Sequence, residues 1–169
     1  MDLVERYLEE RKLEKQGLQP VEPGDYVDLF IFHQSSFRLL IVKGERNPVF
    51  GRKSGMWGII SETIEPTDGI LLAACNRAIQ EEVARDKSLF RINFNCWNPY
   101  LLSNGEIVHR VAVSFLGEPE RDDFAPQSHT EITDYQWVDL RTLANMTTSG
   151  MVEPYVLPVA CWYKFYEVR

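Results

Sequence analysis

Residues 54–86 read SGMWGIISETIEPTDGILLAACNRAIQEEVARD, and this stretch decides the fold. A repeat of about 3.6 residues places four apolar side chains on one stripe of a predicted helix. They are Leu72, Cys75, Ile79 and Val83. Glu81 and Glu82 lie outside this stripe, so the helix is predicted to have an acidic side that faces water.

The acidic side of this helix is a candidate metal site. Ala74 and Ala78 fall in the same angular range as Glu81 and Glu82, so their small side chains are predicted to leave room beside the carboxylates. Two carboxylates on a packed helix offer oxygen ligands to Mg²⁺ or Mn²⁺, which keep several waters and bridge to substrate phosphates. The alternative is that the two glutamates form only a solvated helix face.

The order of residues in this stretch resembles the Nudix box, whose pattern is G-x5-E-x7-R-E-U-x-E-E-x-G-U, where U is an apolar residue. The matching residues are Arg77, Ile79, Glu81 and Glu82, preceded by Gly55 and Trp57 in a Gly-x-Trp loop. The resemblance implies a loop, a helix and a second loop that bind a divalent metal beside a pyrophosphate. It also implies hydrolysis of nucleoside diphosphates linked to another group.

Several positions depart from this box. The residue after the arginine, which is a metal-binding or catalytic glutamate in active members, is Ala78, and the closing glycine is Ala84. Residues 60–62, Ile-Ser-Glu, stand where members usually carry Pro-Gly-Gly. These departures leave two functions open: a metal-dependent hydrolase that cleaves a pyrophosphate bond, or a weak or inactive Nudix-fold protein that binds a nucleotide-like ligand or a protein partner.

The loop before the helix carries further candidates. The first glutamate of the box falls on Gly69, and Asp68 or Glu65 takes its place only if the loop is shifted in register. Either carboxylate then lies where it contacts the metal or the substrate. Arg77 is predicted to orient Glu81, because residues four apart are neighbours on a helix, and the resemblance counts Arg77 among the catalytic residues.

A second part of the site is predicted from the long acidic loop at residues 117–133 and the Trp-Val strand after it. This order resembles the Nudix pattern of a loop glutamate, a Trp-Val strand and a short helix. Glu131, six residues before Trp137, is the candidate catalytic base or additional metal ligand. A solvated loop carboxylate is the alternative for this residue.

The remaining elements predict an α/β fold of the Nudix type, an α/β/α sandwich around a mixed sheet. Residues 26–33 and 38–43 are rich in β-branched and aromatic residues and indicate a hairpin. A second hairpin is predicted at Asn104-Gly105, a pair that readily forms a type I′ turn. The basic loop between the first hairpin and the central stretch offers phosphate contacts or solvated charges at Arg46, Arg52 and Lys53.

The chain is predicted to form a single domain over residues 1–169. The resemblance covers the core, residues 26–145. Residues 1–20 carry an N-terminal helix with a short apolar stripe, and residues 150–169 carry a C-terminal helix. Two roles are compatible with the N-terminal helix. It is either a solvated helix at the edge of the domain, or a helix that binds a partner or a second copy in a homodimer.

Composition narrows the class of protein and its ligands. The chain has a formal net charge of -7 and 44% hydrophobic residues, which indicates a globular protein without a broad basic surface for nucleic acid. A small nucleotide substrate is compatible with this charge. No apolar run reaches the length of a membrane helix, and the acidic N-terminus is unlike a signal peptide, so a cytoplasmic location away from membranes is expected. The three cysteines are predicted to be free buried thiols.

Overall fold

The computed structural model describes residues 2–44, 55–83, 86–119 and 132–166. Within these ranges the chain forms a mixed sheet of seven strands and four α-helices. The strands are β1 Tyr26–His33, β2 Leu39–Gly44, β3 Trp57–Gly58, β4 Ile60–Thr63, β5 Phe90–Leu101, β6 Ile107–Phe115 and β7 Ile132–Val138. The helices are α1 Leu3–Glu14, α2 Leu71–Glu82, α3 Leu140–Thr148 and α4 Val156–Tyr166.

Strand β1 is the centre of the sheet. The main path of strands runs β3, β2, β1, β6, β5, while β4 pairs with β1 and β7 pairs with β2. The β1–β6 pair is parallel and the other pairs are antiparallel. Because β1 pairs with β2 at Phe32–Leu39 and with β4 at residues 26–29, its two halves have different neighbours on that side. The predicted hairpin of β1 and β2 is confirmed.

The two faces of the sheet are covered by different helices. Successive residues of a strand point to opposite faces, so Leu29 and Ile31 pack with the α2 side while Phe30 and Phe32 pack with α3 and α4. The Phe30 and Tyr163 ring centroids lie 5.2 Å apart in this second core. Complete burial of such a side chain contributes roughly 1.5–3 kcal/mol. The predicted α/β/α sandwich around a mixed sheet is therefore confirmed.

Helix α2 begins without a side-chain cap at Ile70. Its first amide groups instead donate to the backbone of the segment that follows α1: Leu71 N to Gln19 O at 3.1 Å, and Leu72 N to Gly17 O at 2.8 Å. These bonds satisfy amides that the first turn of any helix leaves without an intrahelical acceptor. The N-terminal segment therefore fixes where α2 begins.

Helix α1 contributes no buried side chain. Asp2 and Glu5 form a capping box at its start, which explains why the helix begins there. The predicted apolar stripe of Leu3, Val4, Tyr7 and Leu8 is exposed, with Leu3 at 85%. The helix is thus held to the protein at its C-terminal end, where Gly17 lies against the ring of Phe94.

Two sequence predictions concern turns and thiols. The Asn104-Gly105 turn joins β5 to β6, and Gly105 has a φ of 90°, which glycine adopts without strain. Asn104 does not have a positive φ, so the hairpin is confirmed but the type I′ turn is wrong. All three cysteines are free; Cys75 and Cys96 are buried, while Cys161 is partly exposed, so the prediction of burial is wrong for Cys161. Within the described part of the chain, no helix is both long and apolar enough to cross a membrane.

Candidate active site

The C-terminal half of α2 and the loop before it bring the predicted site residues together. The prediction that Ala74 and Ala78 lie on the wet side of this helix is wrong, because both are 0% exposed. Side chains four residues apart lie on one face of a helix, so Ala74, Ala78 and Glu82 share the face that packs on the sheet. Glu82 is therefore a half-buried residue at the end of the core-facing side, while Glu81 is exposed.

Arg77 is the centre of a hydrogen-bonded group that we call the arginine network, consisting of Asp68, Arg77 and Glu81. Arg77 Nε donates to Asp68 Oδ1 and Arg77 Nη2 donates to Asp68 Oδ2, both at 2.9 Å. Arg77 Nη1 donates to Glu81 Oε2 at 3.1 Å, as the spacing of four residues predicted. A further bond from Nη2 to the carbonyl oxygen of Thr63, at 2.7 Å, ties the helix to the end of β4.

The arginine network is well compensated electrostatically. The two hydrogen bonds from Arg77 lower the pKa of the Asp68 carboxyl below its ordinary value, and the Asp68 side chain is 4% exposed. The same bonds raise the pKa of the Arg77 guanidinium, so this group stays charged. Asp68 Oδ2 also accepts from the backbone N of Glu65 at 2.8 Å, which closes the loop. The network therefore fixes the loop to the helix.

The loop before α2 turns at Gly69. Gly69 has a φ of 71°, a left-handed conformation that favours glycine, so the turn requires glycine at the position where the box has its first glutamate. Of the two candidate replacements, Asp68 is bonded to Arg77, whereas Glu65 Oε1 lies 3.8 Å from Arg77 Nη1 and its side chain is 55% exposed. Asp68 is thus the carboxylate that faces the arginine.

A second group of charges lies beside this network, and we call it the carboxylate pair, Glu62 and Glu82. The two side chains interact, Glu62 from strand β4 and Glu82 from the last turn of α2. Burial, followed by the contact with Glu82, raises the pKa of the Glu62 carboxyl well above its ordinary value of 4.5. A nearby carboxylate disfavours ionisation of a second one, which agrees with the direction of this shift.

Glu62 was not among the residues that the sequence predicted for the site. Its strand position follows from the ladder, in which Glu62 pairs with Val27 of β1. The signal in the sequence was a charged residue in place of a glycine of the Pro-Gly-Gly segment. That signal gives the residue type, but only the pairing of β4 with β1 shows which face its side chain occupies.

The donors at the carboxylate pair suit a hard divalent cation. Mg²⁺ is commonly held by one or two carboxylates together with waters and substrate phosphates, so Glu62 and Glu82 fit this ligand chemistry. Among the residues that the structure describes, no group of three His, Cys, Asp or Glu side chains is arranged to hold a metal ion.

Some predicted residues lie outside the described ranges. They are Arg46, Arg52 and Lys53 of the basic loop, Ala84 at the end of the box, and Glu131 of the acidic loop. The structure consequently brings together Asp68, Arg77, Glu81 and Glu82, with Glu65 at the rim. It adds Glu62 to this set.

Comparison with known proteins decides the family. The NUDIX domain model matches residues 23–157, which is most of the chain. The chain belongs to the Nudix family. No curated protein sequence matches it. The match includes both sides of the candidate site, because β4, the loop with Asp68 and helix α2 all lie within the matched Nudix segment.

Solved structures agree with the Nudix fold. An Ap4A hydrolase of C. elegans, in a binary complex, has a TM-score of 0.62 and 15% identity, with 83% of this chain and 96% of that chain covered. The E. coli dihydroneopterin triphosphate pyrophosphohydrolase has a TM-score of 0.59 and 14% identity, with 87% and 97% covered. A bifunctional NMN adenylyltransferase/ADP ribose pyrophosphatase of Francisella tularensis has a TM-score of 0.55 and 16% identity, with 98% and 47% covered.

Proposed function

We propose that this protein is a divalent-metal-dependent hydrolase that cleaves a pyrophosphate bond in a small nucleotide. The observation that carries the proposal is the position of Glu82, a carboxylate held in contact with Glu62 at the end of a helix that the arginine network fixes in place. This arrangement lies in a NUDIX domain, at the helix that resembles the Nudix box.

The residues of such a site have different proposed roles. Glu82 and Glu81 are the proposed ligands of Mg²⁺ or Mn²⁺, and Arg77 holds Glu81 in one orientation through a 3.1 Å hydrogen bond. Asp68 positions Arg77 and, through the backbone of Glu65, the loop beside it. When bound, the cation supplies neutralisation of the pyrophosphate charge and polarisation of the attacking water. Glu131 stays the proposed base, and Arg52 and Lys53 stay proposed phosphate contacts.

The proposed substrate is a nucleoside diphosphate derivative, such as a sugar nucleotide or a dinucleotide polyphosphate. The net charge of -7 supports a small ligand neutralised by a metal over a long nucleic acid held by a basic surface. Two of the structural neighbours are named as an Ap4A hydrolase and an ADP ribose pyrophosphatase, which are hydrolases of compounds in this class.

A second candidate function is binding of a nucleotide-like ligand without cleavage. The observation that favours it is Ala78, which is fully buried and therefore leaves the helix without a carboxylate one turn before Glu82. A site with fewer charged ligands holds a metal less firmly, so ligand binding can persist where turnover is weak.

The test is a substrate panel measured with Mg²⁺ and with Mn²⁺. Sugar nucleotides, dinucleotide polyphosphates and a long RNA are incubated with the full chain, and phosphate released by an added phosphatase is quantified. We expect turnover of at least one small substrate that requires metal and is lost in Glu82→Gln. Binding of panel compounds without any turnover would favour the second candidate, and activity confined to RNA would contradict the proposed substrate class.

A further inference from the structure

His109 of β6 is a buried titratable residue that the proposed chemistry does not use. It is 5% exposed, and the planes of its ring and of the Trp97 ring on β5 differ by only 13°. Trp97 Nε1 donates a hydrogen bond of 3.1 Å to His109 Nδ1. Because an indole N–H can only donate, Nδ1 is the acceptor and carries no proton. His109 is therefore the neutral ring with its proton on Nε2.

The other ring nitrogen of His109 faces a carboxylate. Asp25 Oδ2 lies 3.7 Å from His109 Nε2, which is too long for a hydrogen bond but close enough to attract a charge on the ring. Asp25 is itself fixed, because its Oδ1 accepts from Ile107 N at 2.9 Å and its carbonyl oxygen accepts from Ile64 N at 2.7 Å. The two sides of the imidazole thus have opposite preferences: Asp25 favours the charged ring, and Trp97 favours the neutral one.

Charged groups of other elements lie farther from the ring. Glu62 of β4 is in the same row of the sheet, but Val27 of β1 lies between it and His109. The residues of α1 on the far side of Trp97 are Arg11, Glu14 and Lys15. The residues beside Asp25 are Tyr26 and Glu106, which interact with each other. Among the described residues, Asp25 is thus the charged group that acts on His109.

Burial lowers the pKa of the His109 imidazole below its ordinary value of 6.5, and the charge of Asp25 opposes this shift. Protonation at a lower pH places the second proton on Nδ1, since Nε2 already carries one. Two N–H groups, those of His109 and Trp97, then face each other where one hydrogen bond was. Protonation therefore breaks the bond to Trp97, while the attraction to Asp25 remains.

Trp97 lies beneath the C-terminal end of α1. Together with Phe94 and with residues of the last turns of α1, it lines a cavity of about 70 Å³. Phe94, on the same strand, lies against Gly17. The carbonyl oxygens of Gly17 and Gln19 accept the first amides of α2. The position of Trp97 therefore bears on the junction of α1, β5 and α2.

We propose that His109 is a pH-sensitive switch at the junction of α1 with the sheet. The neutral ring accepts from Trp97 and keeps the indole in place beneath α1. Uptake of one proton from solvent at Nδ1 removes that acceptor, releases the indole and loosens the junction. The switch uses neither the metal nor the hydrolysis of the proposed function, so the two stand or fall separately.

Nuclear magnetic resonance of the full chain follows both partners of the bond. The indole N–H resonance of Trp97 and the ring resonances of His109 are recorded from about pH 8 to about pH 5, the range in which histidines titrate. We expect both sets of resonances to change with one midpoint, which lies below 6.5. A Trp97 resonance that stays constant while His109 titrates would overturn the switch, as would a His109 ring that does not titrate in this range.

Amide exchange at Gly17 measures the loosening of the junction. Its N–H donates to Glu14 O at 3.0 Å, so exchange requires this end of α1 to open. After correction for the intrinsic effect of pH, exchange at Gly17 should rise by about tenfold or more across the titration, because the ratio of protonated to neutral histidine changes about tenfold per pH unit. A corrected rate that is constant with pH would contradict the release of α1.

Substitutions assign these changes to His109. His109→Gln offers a neutral acceptor that does not titrate, so the Trp97 resonance and the corrected exchange at Gly17 should stay constant with pH. His33→Gln, the matched control on β1, should keep the wild-type transition and midpoint. The same pH response in His109→Gln as in the wild type would refute the role of His109.

Two further variants test the partners of the ring. Trp97→Phe removes the donor, so exchange at Gly17 should be raised at neutral pH and should no longer respond to acid. Asp25→Asn removes the charge that favours the protonated ring, so the midpoint should move to lower pH. These variants also test the switch if His109→Gln does not fold: exchange in Trp97→Phe that matches the wild type at every pH would show that the bond does not hold α1.

Discussion

The arginine network and the carboxylate pair lie on the same helix, yet they differ in how their charges are satisfied. In the network, one guanidinium donates to two carboxylates and a carbonyl, with distances of 2.7–3.1 Å. In the pair, two carboxylates contact each other, and burial raises the pKa of Glu62. The first group therefore joins opposite charges, whereas the second brings like charges together.

This difference separates residues that stabilise the site from residues that are proposed to bind its metal. Asp68 and Arg77 stabilise the loop and helix, so their loss should be visible as lower stability. Glu82 is a proposed metal ligand, so its loss should be visible as weaker metal binding and lower turnover. The following substitutions test this difference between the two groups.

The largest effect is expected for Glu82→Gln. Removal of a proposed metal ligand should lower turnover of the best panel substrate by about 100-fold or more, a loss comparable to that of one preorganised electrostatic contact elsewhere. Steady-state turnover at saturating Mg²⁺ measures this, with thermal unfolding as a check that the variant folds. Turnover within twofold of the wild type would remove Glu82 from the site and would end the distinction between the two groups.

The second-largest effect is expected for Ala78→Glu, and it is a loss of stability. The sequence predicted that Ala78 leaves open space beside the carboxylates, and the complete burial of Ala78 contradicts that prediction. A charged side chain forced beside the carboxylate pair should destabilise the protein by roughly 3 kcal/mol, from overpacking and an uncompensated charge. Urea unfolding measures this.

The matched control for that change is Ala73→Glu, on the same helix at a partly exposed position. It should alter the free energy of unfolding by less than about 0.5 kcal/mol, because surface substitutions away from special features have small effects. Equal stability of Ala78→Glu and Ala73→Glu would show that residue 78 is open, as the sequence suggested.

Asp68→Asn tests the arginine network. Loss of the charged partner should cost roughly 2 kcal/mol in the free energy of unfolding at neutral pH. Because the folded pKa of Asp68 lies below its ordinary value of 3.8, its contribution is fully present above that pH and is lost as the pH falls through the folded pKa. Urea unfolding at pH 7 and at acidic pH should therefore show a difference from the wild type that shrinks in acid. A difference that is constant with pH would contradict this account.

The smallest effect is expected for Glu65→Gln. Its carboxylate lies 3.8 Å from Arg77 and is mostly exposed, so this ion pair should contribute less than about 0.5 kcal/mol. Urea unfolding of Glu65→Gln and Asp68→Asn under the same conditions compares the free energy lost at the rim of the network with that lost at its centre. A loss as large as that of Asp68→Asn would place Glu65 within the network.

The sequence could predict the order of elements and the helix of the site, because hydrophobic periodicity and turn residues act locally. The Asn104-Gly105 hairpin and the pair of Arg77 with Glu81 are examples. It could not predict the burial of Ala78, because alanine is compatible with both a core and a surface. It also missed Glu62, since the contact of that side chain depends on the register of β4 against β1.

Helix α1 has a consequence for cooperativity. A helix of twelve residues is marginally stable by itself in water, and this one gains no buried side chain from the rest of the protein. Its amide hydrogens should therefore exchange with solvent through local opening, long before those of the sheet. The boundary between fast and slow exchange should lie at Gly17, because from that residue onward the backbone is bonded to α2. Gly17 also packs tightly against the sheet, since a Cβ atom there would lie 2.4 Å from Cζ of Phe94.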